Sequence, residues 1–492
     1  MSSDIYAQLH PILLNSYNPD RELRQQAEVD LNAFLKLSNS FNGFLGIVAE
    51  PSMSQDVKMA AALVLKNNSR SFWRRVDAPL TMTEEEKAHA KEILLHILMA
   101  ETCKPLRSLL ADILKAIVEH EFPDRWPALL PSLVANLQGT DRLAVYNSLI
   151  VLRKLVKFFE YKDKDDRKPL FDIMIVVFPT IQGLVHSIIN YNDIEIAMVF
   201  HQTLKIFWSC TMYRLPAPET AVACDVNFWF QFMSFLLEKK LPVAGEAGTE
   251  LNSAFVQPVN VDDRTQWPWW KAKKWAARII THFIARYGNP KYSAEENRQF
   301  SEYFRSTTSV ALLGPVMNCL ASVTRGEFIT EVVHRQCLGF MTTAVEMAPT
   351  YKLIKAHLAF VLFDVIMPTL SLSQKDVELF TNDPVEFVRK VNNPTEEWLD
   401  PRVAATNLLE ALVRHRTKDS LGKLLQWISE KLAVYDAERD SSKKDYRTKD
   451  SIMVAMSTIA TVSARASMLA QVCCVTARRI HRRMCDCGAG WL

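Results

Sequence analysis

The side chains best suited to metal chemistry lie near the end of the chain. Cys473-Cys474 and Cys485-Asp486-Cys487 flank His481, and thiolates and imidazole are the ligands that zinc prefers. Their spacing lacks the separation of about two to four residues that paired zinc ligands usually show. We therefore predict no metal site and interpret residues 461–492 as an atypical tail, either disordered or wrongly translated. A zinc enzyme that uses these thiols is the alternative.

The motifs of common enzyme classes are missing from the sequence. It contains no glycine-rich phosphate loop followed by Lys-Ser/Thr, no Gly-x-Gly-x-x-Gly, no Gly-x-Ser-x-Gly and no His-Glu-x-x-His. The 11 histidines are dispersed. We predict that the protein is not an enzyme, with no catalytic residues and no cofactor. The run Arg478–Arg483 would suggest a nuclear address or a nucleic-acid contact, but it lies in the same atypical tail.

A basic and aromatic motif, Trp267-Pro-Trp-Trp-Lys-Ala-Lys-Lys-Trp275, is the most distinctive local sequence. On a helix that begins near Trp269, one face combines Ala272, Trp275, Ile279 and Phe283. A neighbouring basic stripe consists of Lys271, Lys274 and Arg278. The stripe would bind an acidic partner or a phosphate backbone. Aromatic core packing beside a solvated charged edge explains the same pattern.

The segment Glu121-Phe-Pro-Asp-Arg-Trp-Pro127 predicts a turn between two helices. Asp124 and Arg125 either pair with each other in this turn or act on the surface. Trp126 is expected to fill a space against the neighbouring repeat.

These residues must be positioned by helices. Apolar residues recur at helical spacing to about residue 460, and most of the 22 prolines fall at the breaks between segments. The N-cap after Asn18-Pro19-Asp20 and the capping box at Thr83–Glu86 mark two helix starts. A single core stops growing near ~250–300 residues, whereas this chain has 492 residues and only 13 glycines. We predict a soluble all-α HEAT-repeat superhelical solenoid, with two helices per ~40–47 residues.

The net charge indicates which class of partner to expect, and the cysteine usage indicates the cellular compartment. The net charge of +3 does not favour nucleic acid as a direct ligand. Five cysteines stand singly in apolar helical patterns and predict reduced, buried thiols of an intracellular protein; they are Cys103, Cys210, Cys224, Cys319 and Cys337.

The apolar stretches 170–189 and 356–370 are interrupted by Asp, His and Pro. We interpret them as buried core helices and predict no membrane insertion.

Several motifs together resemble the importin-beta family of nuclear transport receptors. Phe122–Leu130 resembles the inter-repeat sequence found near the start of these receptors. Arg24–Leu31, Lys58–Asn67 and Trp73 are similar to the importin-beta N-terminal domain. The resemblance to the branch containing importin seven and importin eight rests on Pro268–Trp275 with Arg286–Gly288, and on Asp383–Arg389.

The resemblance implies a receptor that shuttles between cytoplasm and nucleus through the nuclear pore. Its expected partners are the GTP form of the GTPase Ran, phenylalanine-glycine nucleoporins, basic cargo such as ribosomal proteins or histones, and importin-beta as a co-receptor. The positions that match the Ran-binding part are Lys58, Lys66, Asn67, Trp73, Asp124 and Arg125. The expected organisation is an importin-beta N-terminal domain at 1–105, a HEAT array at 106–460 with a long loop near 240–266, and the tail 461–492.

Two alternatives stay open. One is a HEAT scaffold that assembles a phosphatase or kinase complex without Ran, and the other is an export receptor. The sequence departs from the family in length, and the tail after Ala464 does not match it. We expect a truncated, mis-spliced or frame-altered product whose cargo surface is affected and whose Ran-facing repeats are kept.

Overall fold

The computed structural model of the chain describes residues 2–74, 82–163, 166–216, 224–243, 255–289, 293–391 and 400–465. Within these ranges every regular element is a helix. The chain divides into two compact units, Met1–Val226 and Asn227–Leu492. The all-α class with HEAT-type helix pairs is confirmed, whereas the expected domain boundary near residue 105 stays a prediction.

Unit one is built from ten helices among its described residues. They are α1 Ser2–Asn15, α2 Arg21–Phe34, α3 Ser40–Ala49, α4 Gln55–Arg74, α5 Glu84–Ala100, α6 Lys104–Glu121, α7 Leu129–Gln138, α8 Arg142–Phe159, α9 Lys168–Ile188 and α10 Ile194–Thr211. One layer is formed by α4, α6, α8 and α10, each packed on the next. The other layer contains α1, α3, α5, α7 and α9, and consecutive helices pair across the layers.

Both predicted helix starts of unit one are confirmed. The Asp20 carboxylate accepts from the Glu22 amide at 2.8 Å, and the Thr83 hydroxyl accepts from the Glu86 amide at 3.1 Å while Glu86 accepts from the Thr83 amide at 2.8 Å. These bonds satisfy amide groups that have no partner inside the helix.

The apolar helix α9 is buried on one face only. Two helical segments are long and apolar enough to cross a membrane, judged by length and composition alone: α9 and Glu295–Thr324. The bent pair Ala348–His357 and Phe360–Asn382 also qualifies if it is counted as one broken span. In the fold, α9 packs on α7, α8 and α10, yet Ile175 and Val176 are each 44% exposed. The prediction of a buried core helix therefore holds for the inward face, and the outward face is an apolar surface.

Unit two continues the pairing of helices. Its elements are α11 Val226–Glu238, α12 Val261–Gln266, α13 Pro268–Tyr287, α14 Arg298–Tyr303, α15 Ser309–Thr324, α16 Glu331–Glu346, α17 Ala348–Ile354, α18 Met367–Leu370, α19 Gln374–Asn382, α20 Pro384–Val391, α21 Pro401–His415, α22 Thr417–Ala437 and α23 Tyr446–Arg465, with π-helical turns at Phe304–Thr308 and Phe360–Ile366. The helices α13, α16, α21 and α23 pack in succession, while α15 packs on α16 and α22 on α21.

An aromatic cluster joins the first elements of unit two. Phe230 of α11 lies edge-on to Phe283 of α13 and to Phe304 of the π-helical turn, with ring centroids 5.2 and 5.4 Å apart. The predicted apolar face of α13 is correct for Ala272, Ile279 and Phe283 but wrong for Trp275, which is half-buried. The buried arc turns instead through the alanines at 276 and 277, whose small side chains allow closer packing.

The described part of the predicted interruption between 239 and 267 is irregular and contains the short helix α12. Residues 244–254 of this segment lie outside the described residues, as does the tail 466–492. Gln257 fixes the described part. Its amide donates to the Pro242 carbonyl at 3.0 Å, its Nε2 donates to the Leu241 carbonyl at 2.6 Å, and its Oε1 accepts from Trp270 Nε1 at 2.9 Å. The segment is therefore tied to α13 by hydrogen bonds.

Buried or half-buried polar side chains cap the C-terminal ends of other helices. In unit one, Asn147 of α8 donates to the carbonyls of Leu98 and Glu101 at 2.9 and 3.1 Å, at the end of α5. In unit two, Lys273 of α13 donates to the Leu237 carbonyl at the end of α11, at 3.0 Å. Arg416 likewise donates to the Val345 carbonyl at the end of α16, at 2.8 Å. Carbonyls at a helix end have no partner inside the helix, so each donor removes a burial penalty.

The buried His334 of α16 makes stability depend on pH. Burial lowers the pKa of its imidazole to about 4, whereas an unfolded chain titrates near ~6.5. As pH falls from about 6.5 to 4, the unfolded state binds a proton that the folded state excludes, so the free energy of unfolding drops by up to about 3 kcal/mol from this group. In urea titrations, His334→Gln should remove this part of the pH dependence. His357→Gln, at an exposed position, should leave the pH dependence of the unfolding free energy unchanged. The assignment to His334 is contradicted if the unfolding free energy changes equally with pH in the unmodified protein and in both variants.

Candidate protein-interaction surface

A row of cations lies on the exposed side of α4. Lys66, Arg70 and Arg74 are spaced four residues apart and are all exposed, which places them along one strip of the helix surface. Asn67 is exposed beside them. We call these four residues the α4 strip. Lys66 and Asn67 were predicted site residues, whereas Arg70 and Arg74 were missed, although their spacing was visible in the sequence.

Lys58 occupies a different environment on the same helix. It is half-buried near the start of α4, close to Glu50 at the end of α3. Hydrogen bonds from Ser52 chiefly lower the pKa of Glu50, and the Lys58 charge adds a smaller effect in the same direction. Lys58 is therefore less available to a partner than Lys66.

The carboxylate of Glu121, at the end of α6, organises the region beneath the α4 strip. Its side chain is fully buried, and it accepts from Trp73 Nε1 at 2.9 Å and from Lys91 Nζ at 3.0 Å. Arg125 lies 4.0 Å from the same carboxylate. A buried carboxylate is costly unless it is paired and hydrogen-bonded, so these donors explain why it is tolerated.

Trp73 serves packing rather than the surface. Its side chain is buried, and its ring lies edge-on to Phe41 with centroids 5.3 Å apart. Because its one polar atom donates to Glu121, Trp73 fixes α4 against α6. This bond could not be predicted from local sequence, since 48 residues separate the two partners.

The turn after α6 exposes two of the predicted residues. Asp124 is exposed, and the Arg125 side chain is 62% exposed. The pairing expected between them is replaced by the Arg125–Glu121 contact. Trp126 is buried as predicted, and Lys91 Nζ lies 5.9 Å from the centre of its ring.

A second ion pair ties the α4 strip to α6. The Arg70 guanidinium donates to both oxygens of Glu119 at 3.1 Å. Burial, followed by the charge of Arg74, lowers the pKa of His120. The lowered pKa favours the neutral form of the His120 imidazole beside Arg70 and Arg74. The α4 strip and Arg125 together form a cationic surface that suits an acidic protein.

The three residues of the predicted basic stripe of α13 differ in their surroundings. Lys271 and Lys274 are half-buried, and Arg278 is exposed with its guanidinium carbon 5.1 Å from the Trp275 ring centre. Arg335 of α16 extends the stripe, because burial first and then Arg278 lower the pKa of Arg335. The third lysine of the motif, Lys273, is buried and faces α11.

No metal centre is formed within the part of the chain that the structure describes: no three His, Cys, Asp or Glu side chains converge there. Cys473, Cys474, Cys485, Cys487 and His481 lie outside that part. All five described cysteines are free thiols, four of them buried and Cys103 half-buried.

Two protein-family models match the chain. The importin-beta N-terminal domain matches residues 27–100, and the Cse1 model matches residues 279–475. The first match covers α4 and Trp73, and the second covers most of unit two.

Relatives extend the match along nearly the whole chain. The importin beta-like SAD2 homolog of Arabidopsis thaliana is 27% identical over 451 residues, covering 90% of this chain and 42% of the relative. Importin-8 of Mus musculus is 28% identical over 433 residues, covering 87% and 41%. The chain is similar to the importin-beta family along most of its length. It spans about two fifths of the length of these relatives, whose family is one of transport receptors.

A solved structure agrees on the fold of the family. The exportin Cse1 in its cargo-free, cytoplasmic state superposes with a TM-score of 0.65 at 16% identity, covering 93% of this chain and 47% of that chain. The likeness supports the arrangement of helix pairs expected for an importin-beta family member.

We expect the Glu121 carboxylate to be essential for the stability of unit one. Glu121→Leu removes the one acceptor of the buried Trp73 indole and the carboxylate partner of Lys91, whose ammonium keeps only the Arg125 carbonyl; the free energy of unfolding should therefore fall by about 3 kcal/mol or more. Arg70→Ala breaks an exposed ion pair and should cost less than about 1 kcal/mol. Chemical denaturation of both variants measures the difference. Equal losses would show that the buried network does not hold α4 on α6.

Proposed function

We propose that this chain acts as a nuclear import receptor that binds Ran in its GTP form and carries protein cargo through the nuclear pore. Similarity to the importin-beta family supports transport, and the exposed α4 strip beside the Glu121–Pro127 turn carries the proposal of a protein-binding surface in unit one. Lys66, Asn67, Asp124 and Arg125 are our proposed Ran contacts, since all four are exposed. Lys58 is a peripheral contact and Trp73 a positioning residue.

The surface formed by the α4 strip and the following turn is suited to binding because two of its cations have ion-pair partners. Arg70 is braced by Glu119, and Arg125 by the buried Glu121. Side chains held in place lose less conformational freedom when a partner binds. Complementary charge also accelerates encounter and selects the partner.

Coupling between Ran and cargo requires no covalent chemistry. Stacked repeats contact only their neighbours, so a ligand that favours one arrangement of the stack changes the affinity for another ligand. The effect is reciprocal: if Ran weakens cargo binding by a given factor, cargo weakens Ran binding by the same factor. Release in the nucleus follows from this linkage.

Other proposed partners match other surfaces. The cationic stripe of α13 would repel basic cargo such as ribosomal proteins or histones, so we assign the stripe to an acidic partner, either a protein or importin-beta as co-receptor. The exposed apolar residues Ile175 and Val176 of α9 suit the phenylalanine side chains of nucleoporin repeats. With these partners, the proposed receptor would move between cytoplasm and nucleus.

Reversal of one charge tests the Ran surface. Lys66→Glu should weaken binding of Ran loaded with a non-hydrolysable GTP analogue by about tenfold, because an attractive contact becomes repulsive. Lys104→Glu makes the same charge change at an exposed position at the opposite end of α6 from the turn, and should leave affinity within about twofold. Calorimetry on the full chain, with Ran-GDP as a reference, gives the affinities. The surface is excluded if both variants bind alike, and Ran coupling is excluded if the two nucleotide forms bind equally.

The direction of transport, import or export, is tested by measuring cargo binding with and without Ran-GTP. For an import receptor, Ran-GTP should release a bound ribosomal protein or histone, and raising the cargo concentration should release Ran-GTP. An export receptor, an alternative favoured by the Cse1 match over residues 279–475, would instead hold both together more tightly. A scaffold without Ran coupling would show no change in cargo retention. Pulldown of labelled cargo with and without Ran-GTP distinguishes the three.

A further inference from the structure

We propose that Cys319 and Cys337 form a dithiol site that hydroperoxides oxidise, in which Cys319 attacks the peroxide and Cys337 then closes a disulfide between α15 and α16. The inference concerns unit two alone and does not depend on the proposed transport partners.

Three reactive groups converge at the end of α11. The Leu237 carbonyl accepts from Lys273 Nζ at 3.0 Å and from Cys319 Sγ at 3.5 Å. The ammonium and the sulfur therefore share one acceptor and lie on the same side of the helix end. Cys337 of α16 completes the group, because α15 packs on α16 and the Cys319 and Cys337 side chains interact.

Cys319 also lies on the wall of a cavity. The cavity has a volume of about 1270 Å³, and its lining includes Lys273, Cys319, Asn318 and Trp270. Cys319 is 5% exposed, whereas Cys337 is 1% exposed. A hydroperoxide as small as hydrogen peroxide can reach the first sulfur from this cavity, and the second sulfur lies behind it.

The surroundings assign different roles to the two sulfurs. The hydrogen bond from Cys337 and, more weakly, the charge of Lys273 lower the pKa of the Cys319 thiol, although burial acts in the opposite direction. The same hydrogen bond, followed by burial, raises the pKa of Cys337 well above its ordinary value. Since the thiolate is the nucleophile, Cys319 attacks and Cys337 remains a protonated donor.

A matched pair of cysteines lacks these features. Cys210 and Cys224 of unit one are both buried, and electrostatic interaction with Cys224 adds to the burial that raises the pKa of Cys210. Burial raises the pKa of Cys224 to about 12. Neither cysteine lines the cavity that Cys319 borders. They provide a reference for two thiols in the same chain that should resist oxidation.

The reaction balances without a further reductant. The Cys319 thiolate attacks one peroxide oxygen, the O–O bond breaks, and the released hydroxide takes up a proton to give water and a Cys319 sulfenic acid. Cys337 sulfur then attacks the sulfenic sulfur, and its thiol proton leaves with the hydroxyl group as a second water. Two thiols lose two electrons in total, and one hydrogen peroxide becomes two waters.

Peptide mapping of the full, reduced chain tests the site. After hydrogen peroxide treatment and alkylation, a peptide pair linked through Cys319 and Cys337 should appear, at a rate at least about tenfold above the oxidation of Cys210 or Cys224. In Cys337→Ser, dimedone should capture a sulfenic acid on Cys319. In Cys319→Ser, Cys337 should stay a thiol.

Paired lysine variants separate chemistry from folding. Lys273→Met should slow disulfide formation by about fivefold or more, because the thiolate loses its neighbouring cation, whereas Lys274→Met at the adjacent half-buried position should not. If Lys273→Met alters the circular dichroism spectrum, the comparison of Cys319 with Cys210 in the unchanged chain decides the question. The proposal is overturned if Cys319 and Cys337 oxidise no faster than Cys210 and Cys224, or if Cys319 links to a tail cysteine instead.

Discussion

The fold depends on satisfying the carbonyl groups at helix ends that are buried between neighbouring repeats. A helix leaves its last carbonyls without partners, and burying such a group unpaired costs roughly 1–3 kcal/mol. This protein supplies donors from elements further along the chain: Asn147 caps α5, Lys273 caps α11 and Arg416 caps α16. The caps also define register, since each donor must meet one particular helix end. Apolar contacts alone would allow neighbouring helices to slide.

The same requirement produces the chemically distinctive sites. Glu121 is the converse case, a buried acceptor that needs the donors Trp73 and Lys91. Its network holds α4 against α6 and leaves the opposite side of α4 free to present cations. Lys273 is buried because it caps α11, and this position places its ammonium beside Cys319. Interaction surface and thiol site are both consequences of how helix ends are paired.

Sequence reasoning succeeded where the cause is local. Helical periodicity, the Thr83–Glu86 capping box and the buried Trp126 follow from residues close in the chain, and the motifs at α4 and α13 carried the family resemblance. It did not decide where the partner is distant: Trp73 was a Ran-binding candidate that is buried against α6, and Trp275 was expected on the buried face of α13 but is half-buried. Charge spacing on α4 was readable, yet Arg70 and Arg74 were overlooked.

The central claim is that unit one offers a preformed cationic surface on α4 and the following turn to Ran-GTP. Hydrogen–deuterium exchange of the full chain, measured alone, with Ran-GTP and with Ran-GDP, tests it most directly. We predict slower exchange in α4 and in residues 122–128 with the GTP form only. Unchanged exchange throughout residues 55–128, or protection confined to residues 227–465, would contradict the account.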